Sequence, residues 1–275
     1  MSDYETLRQK ALERRRRLIY DNDGCDVYQC KSPSPSELLS KRTIPLCGSH
    51  ADTLFCTTRS SGFGLFTHNT KIGQIFTGRE GKHEYNITEE LIKQGKDYLQ
   101  IMTDFCRKNN IEIFWSMRMN DVHDSGTTLG RPEAFRLNKI KTEHPEYLFG
   151  SRENPPKYGA WSGVDYTREE IRELAYAFVE EVCSNYDIDG INLDFFRHPV
   201  FFKRTAWGLP IQQYELDLMT DLMRKIRKMT IEIGKERGRP ILLSSRVPDS
   251  LEYSRTIGID LETWLKEVQR LNVKT

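Results

Sequence analysis

The sequence predicts an α/β fold built on a parallel sheet. Strand-like and helix-like segments alternate along the 275 residues, which is typical of β-α-β units with crossover helices. The links from helix to strand are short and those from strand to helix are long, as in a TIM (β/α)8-type barrel with long loops on its catalytic face. A barrel needs eight strands, yet about five or six β/α units can be counted before Thr275. We therefore expect an incomplete barrel, truncated at its C-terminus.

Five short runs rich in apolar or β-branched residues predict the strands. They are Arg17–Tyr20, Thr53–Thr58, Ile111–Met117, Gly190–Asp194 and Ile241–Ser245. Turn residues precede the later strands: an Asp189-Gly190 pair before the fourth and Gly238-Arg239-Pro240 before the fifth.

Helices are expected where apolar residues recur every three or four positions. One spans Ile87–Asn110, and a second follows a capping box formed by Thr167 and Glu170. A third spans Gln212–Lys235, and Asp260 is expected to cap a last helix. Residues 1–16 are expected to be an N-terminal helical extension of a single domain, 1–275.

Composition excludes several partner classes. The chain carries 41 basic and 40 acidic residues, so its net charge of +1 argues against binding to nucleic acid or to an anionic membrane. The basic run Arg14–Arg17 is read as a solvated helix end. No apolar run is long enough to span a bilayer, and Met1–Arg17 lacks the apolar core of a signal peptide. These features predict a cytoplasmic protein.

No cofactor is predicted. The six cysteines do not form paired C-x-x-C knuckles, and Cys56, Cys106 and Cys183 fall on apolar segments where thiols serve as small core residues. Divalent-metal chemistry remains an alternative, because Asp121, His123, Asp124 and His198 are all residue types that bind metals.

The richest segment is Tyr186–Pro199, Y-D-I-D-G-I-N-L-D-F-F-R-H-P, which leads a buried strand into Asp194, Arg197 and His198. Chemistry in parallel α/β folds collects at the carboxyl ends of strands. Because side chains alternate along a strand, Asn192 and Asp194 should point into the barrel together. Polar residues from the other strand ends and aromatic residues from the long loops complete the predicted substrate-binding set: Asn22, Asp23, Arg59, Arg118, Asn120, His123, Trp161, Asn192, Arg197, His198, Trp207 and Arg246.

Two carboxyl groups near each other suit glycoside hydrolysis, which places one on either side of the scissile bond. Asp194 is the predicted catalytic carboxylate, with Arg118 or Arg197 keeping it anionic. Asp121 and Asp124 are the predicted catalytic partners, with Asp23 a further candidate. Trp161 and Trp207 are predicted to stack on sugar rings.

With these motifs, the chain resembles glycosyl hydrolase-like TIM barrels related to family 10-type and α-amylase-type glycosidases. The resemblance rests on R-R-R-R-L-I-Y-D-N-D-G, W-S-M-R-M-N-D-V-H-D, D-G-I-N-L-D-F-F-R-H-P and I-D-L-E-T-W-L-K-E. It implies that Asp194 is the nucleophile. Two positions depart from the α-amylase-type pattern: Asn192 stands in place of an Arg, and Ser244-Ser245-Arg246 occupies the region of the Glu acid.

The resemblance and the residues together predict a hydrolase acting on O-glycosidic bonds of a poly- or oligosaccharide. Two alternatives stay open: a non-catalytic carbohydrate-binding barrel, and a metal-dependent sugar isomerase or hydrolase. The expected partner is a carbohydrate substrate, and an exposed final strand offers a surface for a homo-oligomer.

Overall fold

The computed structural model describes residues 3–58, 62–127 and 136–268. In this part of the chain, five parallel strands form one sheet in the order β1-β2-β5-β6-β7. The strands are β1 Ile19–Asn22, β2 Thr53–Thr57, β5 Glu112–Arg118, β6 Gly190–Asp194 and β7 Leu242–Arg246, with a separate parallel pair of β3 Leu65–Phe66 and β4 Gln74–Ile75.

The strand order advances in one direction, as in the wall of a barrel. Because crossovers between parallel strands are right-handed, such an order places the crossover helices on one side of the sheet. The prediction of an α/β fold with a parallel sheet is confirmed. The described residues do not close the sheet, since β1 and β7 stand at its two edges.

The helices are α1 Asp3–Glu13, α2 Pro35–Arg42, α3 Thr88–Lys93, α4 Tyr98–Lys108, α5 Lys139–Glu143, α6 Glu169–Asn185, α7 Lys203–Ala206, α8 Gln213–Glu236, α9 Leu251–Thr256 and α10 Leu261–Thr263, which continues as a π-helical turn over Trp264–Val268. Within the described ranges, none of them combines the length and apolarity needed to cross a membrane. Helix α1 precedes the first strand, and the main crossover helices α4, α6 and α8 pack on the opposite face of the sheet from α1.

The two faces of the sheet differ in what covers them. On the helix side, Trp115 and Leu193 belong to the main hydrophobic core with residues of α4, α6 and α8. On the opposite side, which we call the inner face, Phe114 and Leu242 pack against Leu12 of α1. Helix α1 therefore covers the inner face near the amino ends of the strands, and the carboxyl ends lie beyond it.

The run Arg14–Arg17 is more than the solvated helix end predicted from sequence. Helix α1 ends at Glu13, and Arg16 beyond it donates two hydrogen bonds to the buried carboxylate of Glu112, at 2.7 and 2.8 Å. Its guanidinium also lies 5.7 Å from the centre of the Phe114 ring. Arg16 is held in place because Glu112, the first residue of β5, is buried and needs a cationic partner.

The predicted helix Ile87–Asn110 is wrong in its continuity, since α3 and α4 are separate. Gly95 adopts a positive φ of 74° between them, and the side chain of Asp97 caps α4 by accepting from the backbone N of Gln100 at 2.9 Å. Both helices bury one side against the same core, so the apolar spacing runs on through the break.

The predicted capping box of Thr167 and Glu170 is also wrong. Helix α6 begins at Glu169 without a side-chain cap, and the Thr167 hydroxyl donates to Asp165 at 2.6 Å instead. A hydrogen bond to a charged carboxylate is stronger than one between neutral groups, which favours this contact. The cap predicted at Asp260 is confirmed, because its Oδ1 accepts from the backbone N of Thr263 at 3.1 Å.

Candidate functional site

Neighbouring strands bring two rows of polar side chains together on the inner face. Strand register aligns Arg118 with Asp194 and Asp194 with Arg246. Two residues earlier, Ser116, Asn192 and Ser244 are aligned in the same way. Asn192 donates from Nδ2 to Ser116 Oγ at 2.9 Å, while its buried Oδ1 has no hydrogen-bond partner among the described residues. A charged row thus lies above a polar row that has a spare acceptor.

Asp194 is held firmly and is almost buried, with 6% of its side chain exposed. Its Oδ1 accepts from the backbone N atoms of Phe196 and Arg197, at 2.9 and 3.0 Å. Its Oδ2 faces Arg246 Nη1 at 3.4 Å. The carboxylate therefore fixes the first turn of the loop after β6 with Oδ1, while Oδ2 points to the inner face.

The expected arginine partners of Asp194 need correction. The guanidinium of Arg118 donates to Asp121 at 3.2 Å, and that of Arg197 lies 3.0 Å from His123. In the turn that begins at Asp194, the backbone N of Arg197 bonds to Asp194. The side chain of Arg197 instead reaches the loop after β5. In the described part of the chain, the arginine side chain that contacts Asp194 is that of Arg246 on β7, predicted only as a substrate-binding residue.

Asp21 is a site residue that the sequence reasoning missed. Its Oδ2 lies 3.8 Å from Arg246 Nη1, and Asp194 Oδ2 lies 3.4 Å from the same nitrogen, so the two carboxylate oxygens are at most about 7 Å apart. Partial burial raises the pKa of Asp21, whose side chain is half exposed; Arg246 opposes the rise, and the charge of Asp194 adds to it. The predicted strand ended at Tyr20, whereas β1 continues to Asn22, which places Asp21 on the inner face.

The neighbours of Asp21 do not join it. Asn22 is buried and donates to Asp26 at 2.8 Å, while its Oδ1 accepts from the backbone N of Gly24. Asp23 is paired with Arg42 at 2.8 Å. Both residues therefore fix the loop after β1 rather than face a ligand. Arg59, predicted at the end of β2, lies outside the described residues.

The loop after β5 carries a second polar cluster, centred on Asp121. This carboxylate is fully buried and accepts from Arg118 at 3.2 Å and from His123 Nδ1 at 2.8 Å. Burial by itself would raise the pKa of Asp121, but the bond and charge of His123 and the charge of Arg118 outweigh it and hold this pKa well below its usual range. His198, from the loop after β6, completes the cluster, and one ligand atom from each of the three residues lies within 4.8 Å of the others.

The hydrogen bonds of the cluster fix which nitrogen of His123 carries the proton. A guanidinium can only donate, so His123 Nε2 accepts from Arg197 and Nδ1–H donates to Asp121. His198 packs edge-on against this ring, with centroids 4.9 Å apart, and its buried Nδ1 has no hydrogen-bond partner in the described part of the chain. Burial lowers the pKa of His198 to about 4, so its imidazole is neutral at pH 7.

Asp124 has a different environment from the one predicted. Its Oδ2 lies 2.8 Å from Lys141 Nζ, and its Oδ1 accepts from Ser162 at 2.6 Å. Asp124 and Lys141 expose 0% and 1% of their side chains, so the pair is sealed from solvent. Both oxygens are committed to structural partners, which argues against a role as the second catalytic carboxylate.

Three more predicted binding residues hold loops in place. Asn120 donates to the carbonyls of Val164 and Val200 at 2.9 and 2.8 Å and accepts from the backbone N of Val164, which uses both ends of its amide. The indole N–H groups of Trp161 and Trp207 donate to the carbonyls of Ser125 and Phe149, each at 2.7 Å. Trp207 is still 37% exposed, so part of its ring is accessible.

A small cavity lies beside the histidine cluster. Its volume is about 270 Å³. It is lined by apolar side chains and by the first residues of the loop after β6, including Val122, Phe149, Ala160, Arg197, His198 and Val200. The cavity gives the cluster an apolar wall on one side.

Comparisons with known proteins find only distant and partial similarity, among solved structures. No family model and no curated protein matches the sequence. Among solved structures, it is similar to an α-L-fucosidase from Paenibacillus thiaminolyticus, with 14% identity over 84% of this chain and 32% of that one and a TM-score of 0.45. A maltogenic α-amylase from Thermotoga neapolitana gives 15% identity over 87% and 47%, with a TM-score of 0.44.

An α-galactosidase from Lactobacillus brevis gives 10% identity over 89% of this chain and 30% of that one, with a TM-score of 0.43. The chain therefore spans less than half the length of each of these enzymes. The similarity is partial, and the resemblance to family 10-type enzymes stays a prediction.

Proposed function

We propose that this protein hydrolyses O-glycosidic bonds of a poly- or oligosaccharide, with Asp194 as the catalytic carboxylate and Asp21 as its partner. The observation that supports this most is the pair of carboxylates on either side of Arg246, at the carboxyl ends of β1, β6 and β7. Their separation of at most about 7 Å allows the spacing of either retaining or inverting glycosidases.

The two carboxyl groups have environments suited to different roles. Asp194 receives two backbone N–H bonds and faces a guanidinium, which suits an anionic nucleophile or a stabiliser of positive charge on the sugar. Asp21 has a raised pKa, caused first by its partial burial, which suits a proton donor. Such a division of roles between two carboxyl groups is what glycoside hydrolysis requires.

The polar row below the carboxylates supports a sugar ligand. Ser116, Asn192 and Ser244 lie side by side, and the spare acceptor of Asn192 would take a hydroxyl proton. A buried amide oxygen without a hydrogen-bond donor is unfavourable, and a hydroxyl group of a bound sugar would supply a donor to Asn192 Oδ1.

The test is an activity screen with matched variants. Wild-type protein is incubated with 4-nitrophenyl α- and β-glycosides and with unmodified oligosaccharides, and released nitrophenol or reducing sugar is measured. Asp194→Asn should reduce turnover below detection, and Asp21→Asn should lower it by about 10² to 10⁴-fold, the usual contribution of a proton donor. Asp249→Asn, an exposed carboxylate in the loop after β7, is the control and should leave turnover unchanged.

Thermal melts with the same sugars separate the possible results. Full activity in Asp194→Asn would refute the assignment of the catalytic carboxylate. A melting temperature that rises with one glycan, without bond cleavage by the wild type, would instead support the carbohydrate-binding alternative.

A further inference from the structure

We propose that Asp121, His123 and His198 bind a divalent transition-metal ion of the Zn²⁺ type, in competition with the side chain of Arg197. This metal site goes beyond the proposed glycosidase activity and does not depend on it. One carboxylate and two imidazoles whose ligand atoms lie within 4.8 Å of one another form the core of the proposal.

The ligand set selects the class of metal. Calcium and magnesium prefer sites made of oxygen ligands alone, whereas imidazole nitrogen suits zinc, iron, cobalt and nickel. Asp124 does not belong to the set, although it stands in the same sequence motif, because Lys141 and Ser162 already occupy its oxygens. The set of four candidates in the sequence is thereby reduced to three.

Two of the ligands are already arranged as metal ligands usually are. Arg118 donates to Asp121 Oδ2, which is the outer hydrogen bond expected of a carboxylate ligand, and Oδ1 points to His123. His198 presents a buried Nδ1 that has no hydrogen-bond partner among the described residues. A bound cation would use a lone pair that otherwise stays unsatisfied.

Arg197 occupies the remaining ligand. It donates to His123 Nε2, and this bond requires the proton of His123 to be on Nδ1. An ion shared with Asp121 Oδ1 would bind His123 Nδ1, the nitrogen that faces this oxygen at 2.8 Å, and would move the proton of His123 to Nε2, where it would oppose the guanidinium. Arg197 therefore has to leave, and its exposed side chain is free to do so.

Electrostatics also predicts that Arg197 and the metal ion compete for this site. The guanidinium of Arg197 next to His123 repels a dication, and Arg118 adds to the repulsion, while Asp121 attracts it. Removing the charge of Arg197 should therefore strengthen metal binding. This increase distinguishes competition at a built site from binding elsewhere on the surface.

The experiment measures metal affinity without any substrate. Chelator-treated full-length protein carrying Cys47→Ser, which removes an exposed thiol, is titrated with ZnCl₂ against a chromophoric chelator, and with CoCl₂ by visible absorption. We expect one ion per chain, affinity lowered about tenfold or more by His198→Ala and by Asp121→Asn, and affinity raised by Arg197→Gln. His144→Ala is the control: this exposed histidine pairs with Glu146, and its loss should change nothing.

Each result decides the proposal. Binding that His198→Ala weakens and Arg197→Gln strengthens supports it, and circular dichroism shows whether either variant is misfolded. Absence of a stoichiometric ion in both the parent and the Arg197→Gln protein would overturn it. Equal affinity in His198→Ala and the parent would overturn it as well, since the ion would then bind elsewhere. Loss of glycosidase activity has no bearing on these outcomes.

Discussion

Lys141→Met should destabilise the fold strongly, although Lys141 was not a candidate for any role in the sequence. The variant keeps the length of the side chain and removes its charge. It leaves Asp124 buried, with its Oδ2 facing the position where Lys141 Nζ lay at 2.8 Å. Removing one partner of a buried ion pair lowers the free energy of unfolding by about 3–5 kcal/mol, because the other charge stays buried without compensation.

The structure places this variant toward the strong end of that effect at neutral pH. Both side chains are almost completely buried, and the Ser162 hydroxyl also bonds to the carboxylate. Burial raises the pKa of Asp124, and Lys141 is the first group that opposes the rise. Without Lys141, the pKa of Asp124 in the folded state rises further. A carboxyl group whose pKa is higher in the folded than in the unfolded state contributes stability at pH values below its unfolded pKa, and this contribution is lost as pH increases. The loss in Lys141→Met should therefore be larger at pH 8 than at pH 5.

Urea unfolding followed by tryptophan fluorescence measures the change. A loss of about 3–5 kcal/mol in a chain of this size corresponds to a melting temperature lower by roughly 10 °C. Asp124→Asn and the double variant close a mutant cycle, and the double variant should recover part of the loss. Lys139→Met, an exposed neighbour on α5, is the control.

Three results would refute this reasoning. A loss below about 1 kcal/mol, or strictly additive effects in the cycle, would mean that the pair is not coupled. Unchanged stability in Asp124→Asn, together with lost turnover, would return Asp124 to the catalytic site.

Two further predictions concern the core. Burial lowers the pKa of His68 to about 3, so the folded state resists its protonation, and wild-type stability should fall as pH decreases from about 6.5 toward 3. His68→Leu should flatten that part of the curve in urea unfolding at pH 7 and 4.5, and an unchanged slope would contradict the assignment. A Cβ at Gly190 would lie 2.2 Å from the Phe114 ring, so Gly190→Ala should destabilise by about 1–3 kcal/mol. Adding Phe114→Leu should restore part of this, whereas two additive losses would show that the ring is not the obstacle.

The sequence predicts the strands well because parallel strands are short, apolar and bounded by turns. Strand β6 has the predicted limits, and Asn192 and Asp194 share the inner face, as alternation requires. Strand β1 is offset by two residues, because its polar end pairs with β2 through backbone bonds that no side-chain pattern records. That small offset is what hid Asp21.

The candidate site was harder to predict because its contacts join distant segments. Asp121, His123 and His198 were each singled out, yet their grouping depends on two loops meeting. The motif R-M-N-D-V-H-D contains two aspartates that look equivalent in sequence. Their roles differ because α5 places Lys141 beside Asp124, a contact across 17 positions.

The carboxylates of the site can be ranked by how many of their oxygens are free for chemistry. Asp124 has both oxygens bonded to Lys141 and Ser162, and Asp121 has both bonded to Arg118 and His123. Asp194 commits one oxygen to the backbone and turns the other toward Arg246, where Asp21 lies half exposed. Because a catalytic carboxylate needs an oxygen that can reach the reacting atom, the bond cleavage that we propose is best placed at β1, β6 and β7. The β5 loop then supplies a pre-oriented histidine cluster, which is suited to holding an ion rather than to attacking a sugar.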